Sequence, residues 1–218
     1  MEAPEISAHY PLLYHMAELG SWSSIQNHGL LSTTALLDLF DTAKGEREKI
    51  EYHQRRENVT IKSAKYGIAV IRDQKPLHEG ALQKLIDGME PREFYKLLNG
   101  KTFFWVRRQR LENLLGARAY RGRSHTVLTV DTSILLKKHA DEVWLSHINS
   151  GAIFGSGRRG VGTFKRISEY PFDEMKKKKK DDAIVELAVD YGVKDIADFV
   201  VRVETWVEGK PTEIIWKR

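Results

Sequence analysis

Ile184-Val185-Glu186-Leu187-Ala188-Val189 is the stretch on which the fold reading turns. It is a short apolar run interrupted by one carboxylate, and residues 183–189 read as a strand. Downstream, residues 199–207 and 212–216 read as a hairpin across Glu208-Gly209-Lys210-Pro211. Upstream, strands are predicted at residues 12–16, 66–71, 102–106, 126–130 and 142–148. Helices are predicted at residues 21–28, with Gly29 past the end, and at 32–40, capped by Ser32. A polar helix over 46–56 would place Glu51 four residues before Arg55. Pro91 and Gly100 bracket another helix, and a basic one carries Leu111, Leu114 and Leu115 on one face. A last short helix is expected around residues 134–138. Strands dominate the C-terminal half and helices the first, which predicts an α+β fold over a doubly wound parallel sheet.

The chain has 218 residues, which fits a single domain over residues 1–218 with a sizeable core. No apolar run approaches the roughly 20 residues that span a bilayer, so no membrane association is expected. The acidic start, Met1-Glu2-Ala3-Pro4-Glu5, does not read as a secretory signal. The absence of cysteine excludes disulfides, thiolate metal sites and cysteine nucleophiles, and fits a cytoplasmic protein. The net charge of +5, clustered in runs such as residues 107–110, 118–123 and 176–180, favours a polyanionic partner.

Gly155-Ser156-Gly157-Arg158-Arg159-Gly160 matches the spacing of a dinucleotide-binding turn. The residues after Gly160 are poor helix, and no strand–turn–helix unit surrounds the motif. It reads instead as a basic surface loop whose arginines meet phosphate. The eight histidines show no ligand spacing, and His139, Asp141 and Glu142 straddle a helix end and a strand start, so no metal site is expected.

Three positions stand out. His15 ends an apolar strand beside Tyr14, where a buried imidazole needs a polar partner. Arg55 and Arg56 place a cation at the end of the polar helix. Glu186 is costly to bury unless it is paired or lines a cleft. Taken alone, His15 reads equally well as a core histidine and Arg56 better as a solvated helix end, whereas Glu186 leans towards function.

Together, in this order and spacing, they resemble the DarT-type DNA ADP-ribosyltransferases of the ADP-ribosyltransferase superfamily. Tyr14-His15-Met16, then Trp22, Ile25 and Gly29-Leu30, is similar to that family's opening. Gln54-Arg55-Arg56-Glu57-Asn58 resembles its arginine-bearing helix end, Phe103-Phe104-Trp105 its aromatic strand, and Val185 to Val189 its catalytic glutamate strand. The chain also resembles a sparsely characterised bacterial family with the same Tyr-His-Met opening and an Ile-Asn-Ser-Gly segment, here Ile148 to Gly151. Two departures are visible. Ala17 stands where many relatives have threonine or serine, and residues 61–100 form a longer insertion than expected.

The resemblance implies a central, mostly antiparallel split sheet and a mono-ADP-ribosyltransferase that uses NAD+ as co-substrate without a metal. Breaking the bond to nicotinamide passes through an oxocarbenium-like state, which a carboxylate beside the ribose stabilises. Glu186 is the implied catalytic carboxylate, and Arg56 (or Arg55, with register favouring Arg56) the cation that holds phosphate and assists transfer. His15 would bond the adenosine ribose; Tyr14, Trp22, Phe104, Trp105, Asn149 and Ser150 would line the dinucleotide. Arg158, Arg159, Lys165 and Arg166, with the lysine run, would track a nucleic acid, single-stranded DNA foremost. A toxin or antiviral effector is implied, monomeric, with a neutralising antitoxin or hydrolase. RNA or protein acceptors, or a silent nucleic-acid-binding module, are the alternatives.

Overall fold

A computed structural model describes residues 1–153, 157–179 and 182–218. Among these residues the helices are α1 (Ala3–His9), α2 (Trp22–His28), α3 (Thr33–Leu39), α4 (Lys44–Glu51), α5 (Glu79–Leu85), α6 (Pro91–Asn99), α7 (Arg108–Gly116), α8 (Thr132–His139) and α9 (Phe172–Lys179). The first strands are β1 (Leu12–Glu18), β2 (Leu30–Leu31), the hairpin β3 (Val59–Ser63) and β4 (Gly67–Ile71), β5 (Ile86–Asp87) and β6 (Lys101–Trp105). Then come β7 (His125–Asp131), β8 (Val143–Ser146), β9 (Arg159–Gly160), β10 (Lys165–Arg166) and β11 (Glu186–Asp190). β12 (Gly192–Val193), β13 (Val200–Val207) and β14 (Lys210–Lys217) complete them. No helix among the described residues is long and apolar enough to cross a membrane.

The architecture is α+β, built on one antiparallel sheet in the order β10-β8-β11-β6-β1-β7-β13-β14. β11 lies between β6 and β8, in register from Glu186↔Trp105 to Asp190↔Lys101. β1 pairs along its whole length with β7, from Leu12↔Asp131 to Glu18↔His125. Between β6 and β1, by contrast, only Tyr14↔Trp105 is paired. The two four-stranded halves therefore splay apart from one joint, and backbone groups beside it are freed from the ladder.

Packing follows this division. One face carries a continuous cluster that includes Leu13, Leu128, Val130, Leu187, Val189 and Val203, covered by Leu135 and Leu136 of α8. On the opposite face the apolar contacts fall into two groups. Leu111 and Leu115 of α7 pack on Val127 and Trp206, whereas Phe94, Tyr95 and Leu98 of α6 pack with Ala188 and Phe164.

Most predicted elements are present within a few residues, including α3 with Ser32 Oγ accepting from the Ala35 N–H. Two expectations are corrected. Helices and strands are not segregated along the chain, because β1 and β6 from the first half sit in the middle of the sheet and α8 and α9 lie in the second. The polar helix ends at Glu51, five residues before Arg56. Residue 55 instead pairs across to residue 74: the Arg55 carbonyl accepts from the Gln74 N–H at 2.7 Å, and the Arg55 N–H donates to Gln74 Oε1 at 3.3 Å. Tertiary hydrogen bonds override helical continuation there, and Glu51 turns to Arg47 and Lys96 in place of Arg55.

Candidate active site

Where β1 and β6 part, a cleft of about 660 Å³ opens. This falls within the range of about 300–1,000 Å³ common for cofactor and small-molecule sites. Register pairs His15 with Leu128 and Phe104 with Leu187 on one face, and Glu186 with Trp105 on the other. His15, Phe104, Trp105 and Glu186 line the same cleft, so it reaches through the split in the sheet. Its further walls are α2 and α3, the exit of β4, and the loop at Asn149 and Ser150.

Glu186 opens β11 and is 5% exposed. Its Oε2 accepts from the Ser150 N–H at 3.0 Å and the Ser150 hydroxyl at 2.7 Å. Among the described residues Oε1 carries no hydrogen bond. Burial pushes the carboxyl up to about 7, against the two Ser150 bonds and the fields of Arg159 and Arg110. At neutral pH the group is therefore poised between acid and base.

His15 is half-buried, and its Nδ1 lies 2.8 Å from the carbonyl oxygen of Phe103. Burial holds the imidazole down to about 4, so it is neutral. A carbonyl only accepts, which fixes the proton on Nδ1 and leaves Nε2 as an acceptor suited to a hydroxyl. The ring lies 5.8 Å from that of Phe104, tilted by 59°.

The remaining expected residues divide. Phe104, Trp105, Asn149 and Ser150 line the cleft. Tyr14 does not: it packs on the α7 side against the Leu111 and Trp206 cluster. Trp22 belongs to the main core, 5.5 Å from the Trp216 ring, because α2 turns it inward together with Ile25. Arg56 is exposed and outside the cleft, and of the pair it is Arg55 that stands in the wall. Arg55 Nε donates to the Arg72 carbonyl at 3.0 Å, and Nη1 to the Ile50 carbonyl at 2.7 Å and Asn99 Oδ1 at 2.9 Å. Burial lowers its pKa to about 10, which still leaves it charged at neutral pH.

Of the four expected surface cations, Arg158 is exposed beside Asp87, and Lys165 is exposed on β10. Arg159 is not a surface cation. It is 4% exposed and donates to the carbonyls of Gly157, Asn149 and Ala152, buttressing the loop that carries Ser150. Arg166 is spent on Trp144, whose ring centroid lies 3.7 Å away, and on Asp190. Gly155 and Ser156 of the glycine motif, and Lys180 of the lysine run, lie outside the described residues. Gly160 has a packing role: β9 runs against β5 there, and a Cβ would collide with the Asp87 carbonyl. Lys176 to Lys179 lie on α9, with Lys178 paired to Glu174 and Lys179 donating to the His147 carbonyl at 2.9 Å.

Among the cleft residues not expected from the sequence are Arg72 and Tyr120. Arg72 follows the strand that the apolar run at residues 66–71 locates, but which end of that strand enters a cleft is set by the hairpin's docking and not by local pattern. Tyr120 sits in a loop with no periodicity to place it.

A family model matches residues 11–200, described as DUF7002, a family of unknown function. The chain belongs to that family. No curated protein and no solved structure matches it. The matched span takes in every cleft residue described above, from His15 to Glu186.

Proposed function

We propose that this member of DUF7002 is an NAD+-dependent mono-ADP-ribosyltransferase whose acceptor is nucleic acid, single-stranded DNA foremost. The observation that carries the reading is Glu186: a carboxylate buried in a cleft wall, held by Ser150 through one oxygen, with the other oxygen unbonded among the described residues. The splayed antiparallel sheet agrees with the split sheet expected of ADP-ribosyltransferases, and the neutral His15 and charged Arg55 stand in the same cleft.

In the transfer, the bond from ribose C1′ to the nicotinamide nitrogen breaks and its electron pair leaves with nicotinamide. A lone pair on the acceptor closes on C1′, and the acceptor's proton passes to a base. The ionised Glu186 stabilises the positive ribose more than it stabilises bound NAD+, which is the condition for acceleration. With a pKa near neutrality it also suits the proton transfer. His15 Nε2 would accept from a ribose hydroxyl, and Trp105 and Phe104 give apolar walls for flat rings.

Charge supports the choice of acceptor. The fields of Lys179, Arg159, Lys165 and Lys178 all bear on His147, three residues before Ser150. Of these, Lys165, Lys178 and Lys179 are exposed, Lys178 beside Glu174, so positive charge lies at the surface beside the loop, as a phosphate backbone requires. Labelled NAD+ offered with single-stranded DNA, RNA and protein, beside Glu186→Gln, tests both parts. Label on DNA that the variant abolishes is the expected result. Label confined to RNA or protein would change the acceptor. No label and no nicotinamide release from folded protein would remove the enzyme reading and leave a binding module.

A further inference from the structure

The hairpin β3–β4 lies largely within residues 61–100, the insertion longer than the resemblance implies, yet its outgoing end enters the cleft. Its tip is seated by Tyr66, whose ring lies 5.4 Å from His28 at the end of α2 and 5.9 Å from Phe40 just past α3. Arg72 follows β4 directly and stands in the cleft wall. Its carbonyl is held by Arg55 Nε at 3.0 Å, and its guanidinium lies 5.2 Å from the centroid of the Tyr120 ring. The Tyr120 hydroxyl donates to Asp73 Oδ1 at 3.0 Å, and Arg123 lies 3.4 Å from Asp73 Oδ2. Asp73 is thus already engaged, and Arg72, although it also feels the field of Glu18 in the same cleft, makes no ion pair among the described residues.

Arg72 Nη1 is buried and has no hydrogen-bond partner among the described residues. A guanidinium has donors only, so a buried N–H of this kind calls for an acceptor that the described residues do not supply. Ser21 Oγ, lining the same cleft, is likewise buried without a partner among the described residues. Arg72 also stands near enough to His15 for its charge to oppose protonation of that imidazole. An oxyanion held there would lie beside the hydroxyl acceptor proposed for the ribose.

We propose that Arg72 anchors a phosphate oxygen in the diphosphate bridge of the dinucleotide bound in this cleft. The proposal rests on the NAD+ reading for the identity of its ligand. It moves the phosphate contact from Arg56, which is exposed, to a residue on the inserted hairpin, and it gives that hairpin a role in binding. Arg55 is occupied by two carbonyls and Asn99, which holds the wall in place.

Calorimetric titration of inorganic pyrophosphate, ADP-ribose and adenosine tests it on the wild type, Arg72→Gln, Arg72→Lys and Lys62→Gln, the last an exposed cation on the same hairpin. Pyrophosphate and ADP-ribose should bind Arg72→Gln about tenfold or more weakly, with adenosine little changed. Arg72→Lys keeps the charge but not the planar fork, and should lose roughly fivefold. Lys62→Gln should bind as the wild type does. Unchanged pyrophosphate affinity in either Arg72 variant would overturn the proposal, as would an equal loss in Lys62→Gln or no binding by the wild type. None of these titrations needs turnover. Pyrophosphate binding that depends on Arg72 in a chain that never releases nicotinamide would uphold the subsite while the transferase reading fell.

Discussion

Two glutamates in this molecule are almost equally buried, and their surroundings could hardly differ more. Glu51, 1% exposed, receives Arg47 Nε at 2.6 Å, Lys96 Nζ at 2.8 Å and the Thr34 hydroxyl, so both oxygens are engaged and two charges face it. Glu186, 5% exposed, is hydrogen-bonded among the described residues only to Ser150, on one oxygen, with Arg159 and Arg110 acting at a distance. Burial alone raises both carboxyls. At Glu51 the hydrogen bonds to Arg47, Lys96 and Thr34 more than reverse it, and its pKa falls. At Glu186 they do not, and its pKa rises to about 7. The first pattern ties α3, α4 and α6 together. The second leaves a costly charge buried in a cleft wall, which folding alone does not reward.

Replacing Glu186 is expected to have the largest effect of all. Glu186→Gln should reduce nicotinamide release by about 100-fold or more, as the loss of a transition-state charge contact does. The same variant should be more stable than the wild type above neutral pH. The fold favours the protonated carboxyl, so the native protein loses stability as pH rises from 4.5 through about 7. At pH 8 that loss is on the order of 3 kcal/mol, and the variant escapes it. Thermal unfolding at pH 4 and pH 8 reads this directly: equal midpoints at both pH values would mean that the site is not tuned.

Glu51→Ala should do the opposite. No effect on the chemical step is expected, but a destabilisation of about 2 kcal/mol at pH 7 is, below the full value for a buried pair because Arg47 and Lys96 keep access to water. Since the Glu51 pKa is depressed, its stabilisation is present above the ordinary carboxyl value of 4.5 and fades as pH falls through the folded-state value. The mutational penalty should therefore shrink on acidification. Denaturant unfolding at pH 7 and pH 3.5 with the same penalty at both would remove the contrast between the two acids.

The sequence showed one half of this contrast more clearly than the other. Glu186 is conspicuous because its neighbours are apolar and strand-forming, and the α+β class follows from the same strand and the hairpin after it. Glu51 looked like a helix-surface acid paired with Arg55, because local spacing cannot show that the helix stops there and that α6 delivers Lys96. The same failure misplaced Arg56. One residue of register decides which arginine faces the cleft, and the register is fixed by the pairing of Arg55 with Gln74 nineteen positions away. Trp22 was misread for a related reason, since an aromatic on a helix that also carries Ile25 is read equally as wall or core until its partner, Trp216, is known. The split between β1 and β6 leaves no mark on either strand's composition, although it creates the cavity.

The smallest expected effect is also the sharpest test of what separates the two acids. Ser150→Ala removes the hydroxyl bond to Glu186 Oε2 at 2.7 Å and spares the backbone one at 3.0 Å. A hydrogen bond to a charged group contributes about 1.5 kcal/mol, so the midpoint of the rising limb in the pH–rate profile should move up by about one pH unit. At pH 7 nicotinamide release would fall roughly fivefold, and at pH 9 it would return to the wild-type rate, because the carboxylate can still form. Stability at pH 7 should change little, since less of the carboxyl is ionised and less charge is left unsupported. A uniform loss of rate at every pH, together with a lower unfolding midpoint, would make Ser150 a packing residue. Glu186 would then be a buried acid like Glu51, lacking only its cations.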